Sequence, residues 1–337
     1  MKAWMRKIVV RLIADNGANR QTILTFGEDD DNLAMSITGS KYLSPMKDEF
    51  VVAIKNVPTD SAEVSVLSIR DIAFRYITIE AGYVDATMQI FNGYIVYISS
   101  KEEDNGKTTT MTIVCSGSYT YNALRGKTFT LRKGTDYKTA LMFAAKMSGI
   151  PQHQISLTDT LRFKRLQKDT TFDGSIMSIL IELQNQDKNL FVHCDFTSQT
   201  KFQIWDAVTY TPRFFELTAD NIILTNGFPQ VEDQGVRFTC LPTFNFIPGD
   251  EVIFNDASFI NRSIESLSSY QSSPYPDVFV GAVSPLETDS DRIKEIESVK
   301  GHYFIKELQY KLENRGQAYE IQLKCYAKSL YESLAQN

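Results

Sequence analysis

His193 and Cys194 are the first residues whose types could do chemistry together, since an imidazole can take a thiol proton and leave a nucleophilic thiolate. They fall in residues 191–196, which read as a strand, and consecutive strand side chains point to opposite faces. A core cysteine beside a partly exposed histidine is therefore expected, with no dyad. The other histidines are His153, just after Pro151 in an expected loop, and His302, which opens a strand after Gly301. Glu28, Asp29, Asp30 and Asp31 offer consecutive carboxylates, the hard oxygen ligands that Ca²⁺ takes. They lack the alternating ligands, central glycine and distal glutamate of an EF-hand, so a solvated acidic loop is expected, as for Glu102, Glu103 and Asp104. Cys115, Cys194, Cys240 and Cys325 lie far apart without CxxC spacing, which reads as reduced thiols that fill cores. No HExxH, GxSxG, GxxxxGK[ST] or GxGxxG pattern is present. The chain is expected to carry no catalytic residue, no metal site and no cofactor.

The elements around these residues are mostly strands. Among 337 residues, 21 Phe and 16 Tyr accompany only 2 Trp, a balance that leans towards sheets. Residues 7–13, 50–54, 76–79, 88–98 and 109–115 are rich in Val, Ile, Thr, Phe and Tyr, and Met111, Ile113 and Cys115 share one face. Asn92-Gly93 and residues 102–107 read as turns. Residues 62–73 fit a short helix as well as a strand. Several short strands with turns between them imply a barrel or sandwich over residues 1–130.

Residues 131–188 change character. Thr135 or Asp136 can cap a helix whose Tyr137, Ala140, Phe143, Ala144 and Met147 make an apolar stripe, stopped by Gly149 and Pro151. A second helix is expected after Asp169, with Phe172, Ile176, Ile179, Leu180 and Leu183 on one side. Residues 189–212 read as a β-hairpin module around the polar turn at 197–200. From residue 213 to 337 strand character returns at 236–241, 251–254, 303–312 and 318–326, with sharp turns at Pro248-Gly249-Asp250 and Asn314-Arg315-Gly316. A Ser-rich, then charged insertion at 263–300 interrupts this region and is expected to contact another subunit or protein. The fold class is thus mainly β with a smaller α+β insert.

The net charge of −6 argues against a surface built to grip nucleic acid or anionic lipid. Residues 1–17 imitate a secretion leader, but Arg11 interrupts the apolar run after Ile8, Val9 and Val10. No stretch approaches the roughly 20 apolar residues that span a bilayer, so no membrane anchor is expected. A soluble, reduced protein made in the cytoplasm is the expectation.

Ile79-Glu80-Ala81-Gly82-Tyr83, followed by Gln89-Ile90-Phe91-Asn92-Gly93-Tyr94-Ile95, resembles a signature in the first barrel of phage tail baseplate hub proteins, the contractile-tail hub or late control D-like family. Residues 236–241, then Phe246-Ile247-Pro248-Gly249-Asp250, Gly301-His302-Tyr303 and the turn ending at Gly316, resemble that family's C-terminal barrel. Ala81, Gly82, Tyr83, Ile90, Phe91, Gly93, Pro248, Gly249, Asp250, Gly301 and Gly316 are the positions that carry the likeness, as turn and core residues.

The resemblance implies two tail-tube-like β-barrel domains, at 1–130 and 213–337, and a homotrimeric ring. That ring would adapt a hexameric tail tube protein to a three-fold central spike protein, here a separate chain because residue 337 is reached without a spike region. Other baseplate or tail-tip proteins would surround it, and phage DNA would meet it only in transit. The implied location is the virion tail baseplate, assembled in the cytoplasm of the host bacterium. Three other readings compete: a distal tail or tail-tip protein of a phage with a non-contractile tail, a tail-associated hydrolase acting through paired carboxylates, and a carbohydrate-binding module using Trp205 and Tyr210.

Overall fold

Alternation at a period of two dominates the folded chain. Ile8, Val10 and Leu12 are buried along one strand, Phe50, Val52 and Ile54 along another, and Tyr319, Ile321, Leu323 and Cys325 along a third. A computed structural model describes residues 5–15, 20–28, 33–43, 48–58, 74–103, 108–117, 128–147, 155–172, 176–187, 190–195, 201–206, 211–218, 229–232, 235–254 and 300–327. The ambiguous residues 62–73 and all but the last residue of the 263–300 insertion lie outside these.

The first β-rich region forms β1 (Arg6–Asp15), β2 (Arg20–Phe26), β3 (Ala34–Tyr42), β4 (Glu49–Pro58), β5 (Phe74–Tyr83), β6 (Ala86–Glu103) and β7 (Thr108–Ser116). The next segment holds β8 (Phe129–Leu131), helix α1 (Tyr137–Met147), β9 (Ile155–Leu157), β10 (Thr170–Phe172), helix α2 (Ile176–Gln186), β11 (Leu190–Asp195) and β12 (Lys201–Asp206). The last region supplies β13 (Phe214–Leu217), β14 (Gln230–Glu232), β15 (Gly235–Cys240), β16 (Glu251–Phe254), β17 (Gly301–Glu313) and β18 (Tyr319–Ala327).

Among the described residues a 13-stranded sheet joins the two β-rich regions in the order β14-β15-β18-β17-β3-β4-β7-β6-β5-β1-β2, with β16 also on β17 and β13 on β16. The ladder crosses between regions where β3 pairs antiparallel with β17, from Tyr42 opposite Glu307 to Ser36 opposite Glu313. One hydrophobic core follows this sheet and draws on both regions, from Ile8 to Cys325. A second core belongs to the insert, where Tyr137, Leu141, Leu161, Phe172, Leu183 and Ile204 close on one another. The protein is mainly β with a smaller α+β insert.

Three local expectations change. Asn92-Gly93 is not a turn: both residues sit inside β6, an 18-residue strand, opposite Thr78 and Ile77 of β5. A Cβ at Gly93 would lie 2.4 Å from the Phe91 ring and 2.9 Å from the Ser116 carbonyl oxygen, so close packing and not chain reversal calls for glycine there. The reversal comes earlier, at Val84 and Asp85, between the paired Tyr83 and Ala86. In the insert, α1 buries Leu141 and leaves Phe143 41% exposed, its ring edge-on to Phe129 at 4.9 Å. Phe172 precedes α2, because residues 170–172 pair with β8 and place that ring in the insert core.

The two β-rich regions repeat one plan. The β6–β7 hairpin pairs Ile95 with Cys115 and Tyr97 with Val114, and the β17–β18 hairpin pairs Ile305 with Cys325 and Glu307 with Lys324. Each residue of the second hairpin lies 210 positions after its counterpart, as Ile305 follows Ile95 and Cys325 follows Cys115. A bulge interrupts both at the same point, between Ile95 and Tyr97 and between Ile305 and Glu307. β4 and β3 flank β7 as β15 and β14 flank β18, and β5 borders β6 as β16 borders β17. The repeat departs at its first strand, since β1 lies antiparallel to β5 whereas β13 lies parallel to β16.

Candidate functional site

The residues on which the resemblance rests form three groups, and the first two reach across from one region to the other. Gly82 and Tyr83 end β5, where a Cβ on Gly82 would meet the Ala86 carbonyl oxygen at 2.2 Å. From the other region the Tyr319 hydroxyl accepts a hydrogen bond from the Gly82 N–H at 2.8 Å. The same hydroxyl faces the carbonyls of Lys7, at 2.9 Å, and Gly82, and donates to one of them. Burial pushes the Tyr319 phenol well above its ordinary range, so it stays protonated as a donor. Arg6 stacks over the Tyr319 ring and donates to the Gly316 carbonyl at 2.8 Å, so the turn at Asn314-Arg315-Gly316 is held by the first strand.

Ile90 and Phe91 enter the core from β6. A bulge pairs Ile79 with Phe91 and Glu80 with Gln89, which leaves Ile90 as the extra residue. Two consecutive side chains therefore turn inward, both nearly inaccessible. The Phe91 ring packs at 4.4 Å on Phe50 of β4, and Phe50 packs at 5.3 Å on Tyr310 of β17. Gly39 of β3 makes room, since a Cβ there would lie 2.3 Å from the Phe50 ring. Ala81 is buried between its ladder partners Ile8 and Met88.

The third group is the turn at Pro248-Gly249-Asp250. Gly249 has a φ of 95°, a left-handed conformation that favours glycine, and its N–H donates to the Ile305 carbonyl at 2.8 Å. The Asp250 carboxylate is fully buried and accepts from Arg213 Nε at 2.9 Å, Arg213 Nη2 at 2.6 Å and the Ile247 N–H at 2.7 Å. Burial pushes the Asp250 carboxyl above its ordinary value, and Arg213 and the Ile247 N–H pull it only part of the way back. Lys41 and Asp48 are also buried close by, and Asp48 and Asp250 reinforce the burial that raises the Tyr310 phenol. Next along the chain, Glu251 is fully buried with its Oε1 2.5 Å from His302 Nδ1. That contact ties β16 to β17 on either side of residues 255–299, beside Gly301 opposite Phe254.

These groups are built to hold backbone: their charges meet across strands and turns, and their rings lie on other rings. Cys115, Cys240 and Cys325 are buried thiols, and burial raises those of Cys115 and Cys240 far above the range of a reactive thiolate. His193 and Cys194 occupy consecutive positions of β11, opposite Gln203 and Phe202. His153 and Asp29–Asp31 lie outside the described residues, and among those described no trio of His, Cys, Asp or Glu could hold a metal ion. The sequence alone does not single out Arg6, Tyr319, Arg213 or Tyr310, whose partners lie up to 312 residues away. No local pattern marks them.

No protein-family model matches the chain, and no curated protein matches it in sequence. Solved structures do match. The c3393 protein of E. coli, described as a component of the type VI secretion system with structural similarity to the bacteriophage T4 tail proteins gp27 and gp5, aligns with a TM-score of 0.52 at 9% identity, over 89% of this chain and 75% of that one. A 43 kDa tail protein of prophage MuSo2 from Shewanella oneidensis aligns with a TM-score of 0.51 at 10% identity, over 97% of this chain and 98% of that one. A chain of a PdpA–VgrG complex of Francisella aligns with a TM-score of 0.50 at 10% identity, over 96% of this chain and 58% of that one. At these identities the likeness is one of fold, and it runs the length of the chain: this protein has the fold of those phage-tail and secretion-system proteins.

Proposed function

We propose that this protein is a structural, non-enzymatic subunit of a phage tail, seated as a baseplate hub between the tail tube and a central spike. The observation that carries the reading is the repeat: one chain presents two hairpins of identical register and bulge position, 210 residues apart. Three such chains in a closed ring offer six similar faces to a six-fold tube while keeping three-fold symmetry for a spike. The full-length likeness in fold to the prophage tail protein supports the coarser part of this reading, a structural role in a tail. The net charge of −6 suits a ring through which DNA passes, because a basic bore would hold the phosphates. In this reading Ala81, Gly82, Tyr83, Ile90, Phe91, Gly93, Pro248, Gly249, Asp250, Gly301 and Gly316 keep the two halves of a subunit in fixed relation.

The test is the copy number and neighbours of the chain in an intact particle, read by electron microscopy. Three copies between a hexameric tube and a three-fold spike are expected. A ring of two or six copies, or a purified chain that cleaves peptidoglycan and loses that activity with one Asp or Glu, contradicts the hub.

A further inference from the structure

The insert between the two β-rich regions is a body of its own. Its strands form a two-stranded sheet, β10 with β8, and a three-stranded sheet, β11-β12-β9, and among the described residues neither is joined to the 13-stranded sheet. Its helices close a separate core, in which Leu161, Leu183 and Ile204 are buried. Ion pairs close within it as well, Lys164 with Asp187 at 2.6 Å and Arg165 with Asp136 at 3.3 Å. Two bodies with separate cores and no shared ladder open as separate units.

The chain enters and leaves the insert at one place. Before it, the Gly117 N–H donates to the Asp48 carbonyl at 2.8 Å, and the Asp48 carboxylate accepts from the Tyr42 N–H at 3.2 Å. Tyr42 lies opposite Glu307 of β17, and the Leu43 N–H donates to the Lys306 carbonyl. After the insert, the Arg213 carbonyl accepts from the Glu251 N–H at 2.9 Å, and the Arg213 guanidinium holds Asp250. The Asp250 carbonyl in turn accepts from the Ile305 N–H at 2.9 Å. Both crossings are therefore fixed to three consecutive residues of β17, Ile305, Lys306 and Glu307. A body held at one root turns about it, whereas two distant roots would brace it.

Away from that root, contact with the sheet narrows to a tyrosine. Among the described residues, Tyr94 of β6 is the hydrophobic side chain of the sheet that packs against the insert core. Its ring lies 4.7 Å from that of Tyr76, its ladder partner on β5.

We propose that residues 128–206 form a hinged arm, which swings about the root at Gly117 and Arg213 while the two repeats stay fixed, and that Tyr94 against Tyr76 is the latch that holds the pose described above. The placing of the arm then changes without parting any pair of strands. This does not depend on the ring proposed above, since the hinge lies within one chain.

Two measurements on the full-length chain test the arm and its latch. Leu183→Ala opens a cavity in the insert core and should speed amide exchange in α1 and α2 by about 100-fold, while β17 and β18 keep their wild-type exchange. Ile321→Ala, in the sheet core, should do the reverse. Equal acceleration of both bodies by either variant overturns the separate arm. For the latch, spin labels at Lys146→Cys in the arm and Lys311→Cys in the sheet, both exposed positions, report the pose by pulsed electron spin resonance. The labelled chain carries Cys194→Ser, and its remaining native cysteines are buried. One dominant distance is expected with Tyr94 or with Tyr94→Phe. Tyr94→Ala should give a broadened or second distance at unchanged exchange in both bodies. A distance that stays single in Tyr94→Ala means that more than the latch fixes the insert, and overturns the hinge.

Discussion

Asp250 and Asp136 show how the same carboxylate serves opposite ends at the residue scale. Asp250 is fully buried and paired with Arg213, itself half exposed. Arg213→Ala removes two of the hydrogen bonds to that buried carboxylate, and should cost about 3 kcal/mol at pH 7, the usual order for breaking such a pair from one side. A carboxyl raised by burial stabilises the fold at pH below its unfolded value and loses that contribution as pH rises through its folded value. Without Arg213 the raised value climbs further, so the deficit should shrink in acid, as denaturant unfolding from about pH 4 to about pH 8 will show. Asp136 caps α1 by accepting from the Thr139 N–H and hydroxyl, both at 2.8 Å. Burial pulls its carboxyl up, but those bonds and the Arg165 guanidinium outweigh burial and hold it below its ordinary value. Its contribution is present above the unfolded value and lost as pH falls through the folded one. Asp136→Ala should therefore cost about 1 kcal/mol at neutral pH, read as faster amide exchange in α1, with the difference fading in strong acid.

At the scale of the element, β6 is the strand on which the most constraints meet. It borders β5 with its first half and β7 with its second, and bulges mark both passages, at Ile79/Glu80 and at Ile95/Tyr97. The first bulge turns Ile90 and Phe91 inward together, and Gly93 leaves the space that the Phe91 ring fills. Gly93→Ala should force that ring against Phe50 and cost about 2 kcal/mol, in the range of core overpacking. A lower Tm at an unchanged far-ultraviolet spectrum is the expected result, while an unchanged Tm would mean that the ring moves aside freely.

For the whole molecule, the relevant quantity is the number of sheet edges left uncovered. Among the described residues the sheet ends at β14, at β2 and, on its branch, at β13, and strand edges left open invite aggregation. A closed ring removes part of that liability without a new domain. If three chains close into the proposed ring, light scattering should give about 115 kDa, three times the chain mass of 38.2 kDa. The Shewanella prophage tail protein shares the fold over almost all of both chains, at 10% identity. Packing tolerates wide replacement of side chains when volume and alternation are kept, so fold can outlast sequence to this extent.

Alternation and capping are legible in the residues themselves. Residues 7–13, 50–54, 109–115 and 303–312 fall within β1, β4, β7 and β17, because a half-buried strand writes its period into its own residues. The helix cap at Asp136 is legible for the same reason, its partners being three residues away. Asn92-Gly93 misleads because the dipeptide that suits a turn also suits a strand pressed against a ring, and only the neighbouring Phe91 and β7 tell the two apart. Phe143 misleads because a helix stripe has edges, and Phe129 and β8 decide which edge is covered. The seam itself is out of reach of any such pattern. Arg6 with Gly316, Gly82 with Tyr319, and β3 with β17 join residues hundreds of positions apart, and no local period records such a meeting. The strands and core residues are set by local composition; the bringing together of two repeats into one sheet is decided by tertiary pairing, where strand edges left open by each half find each other.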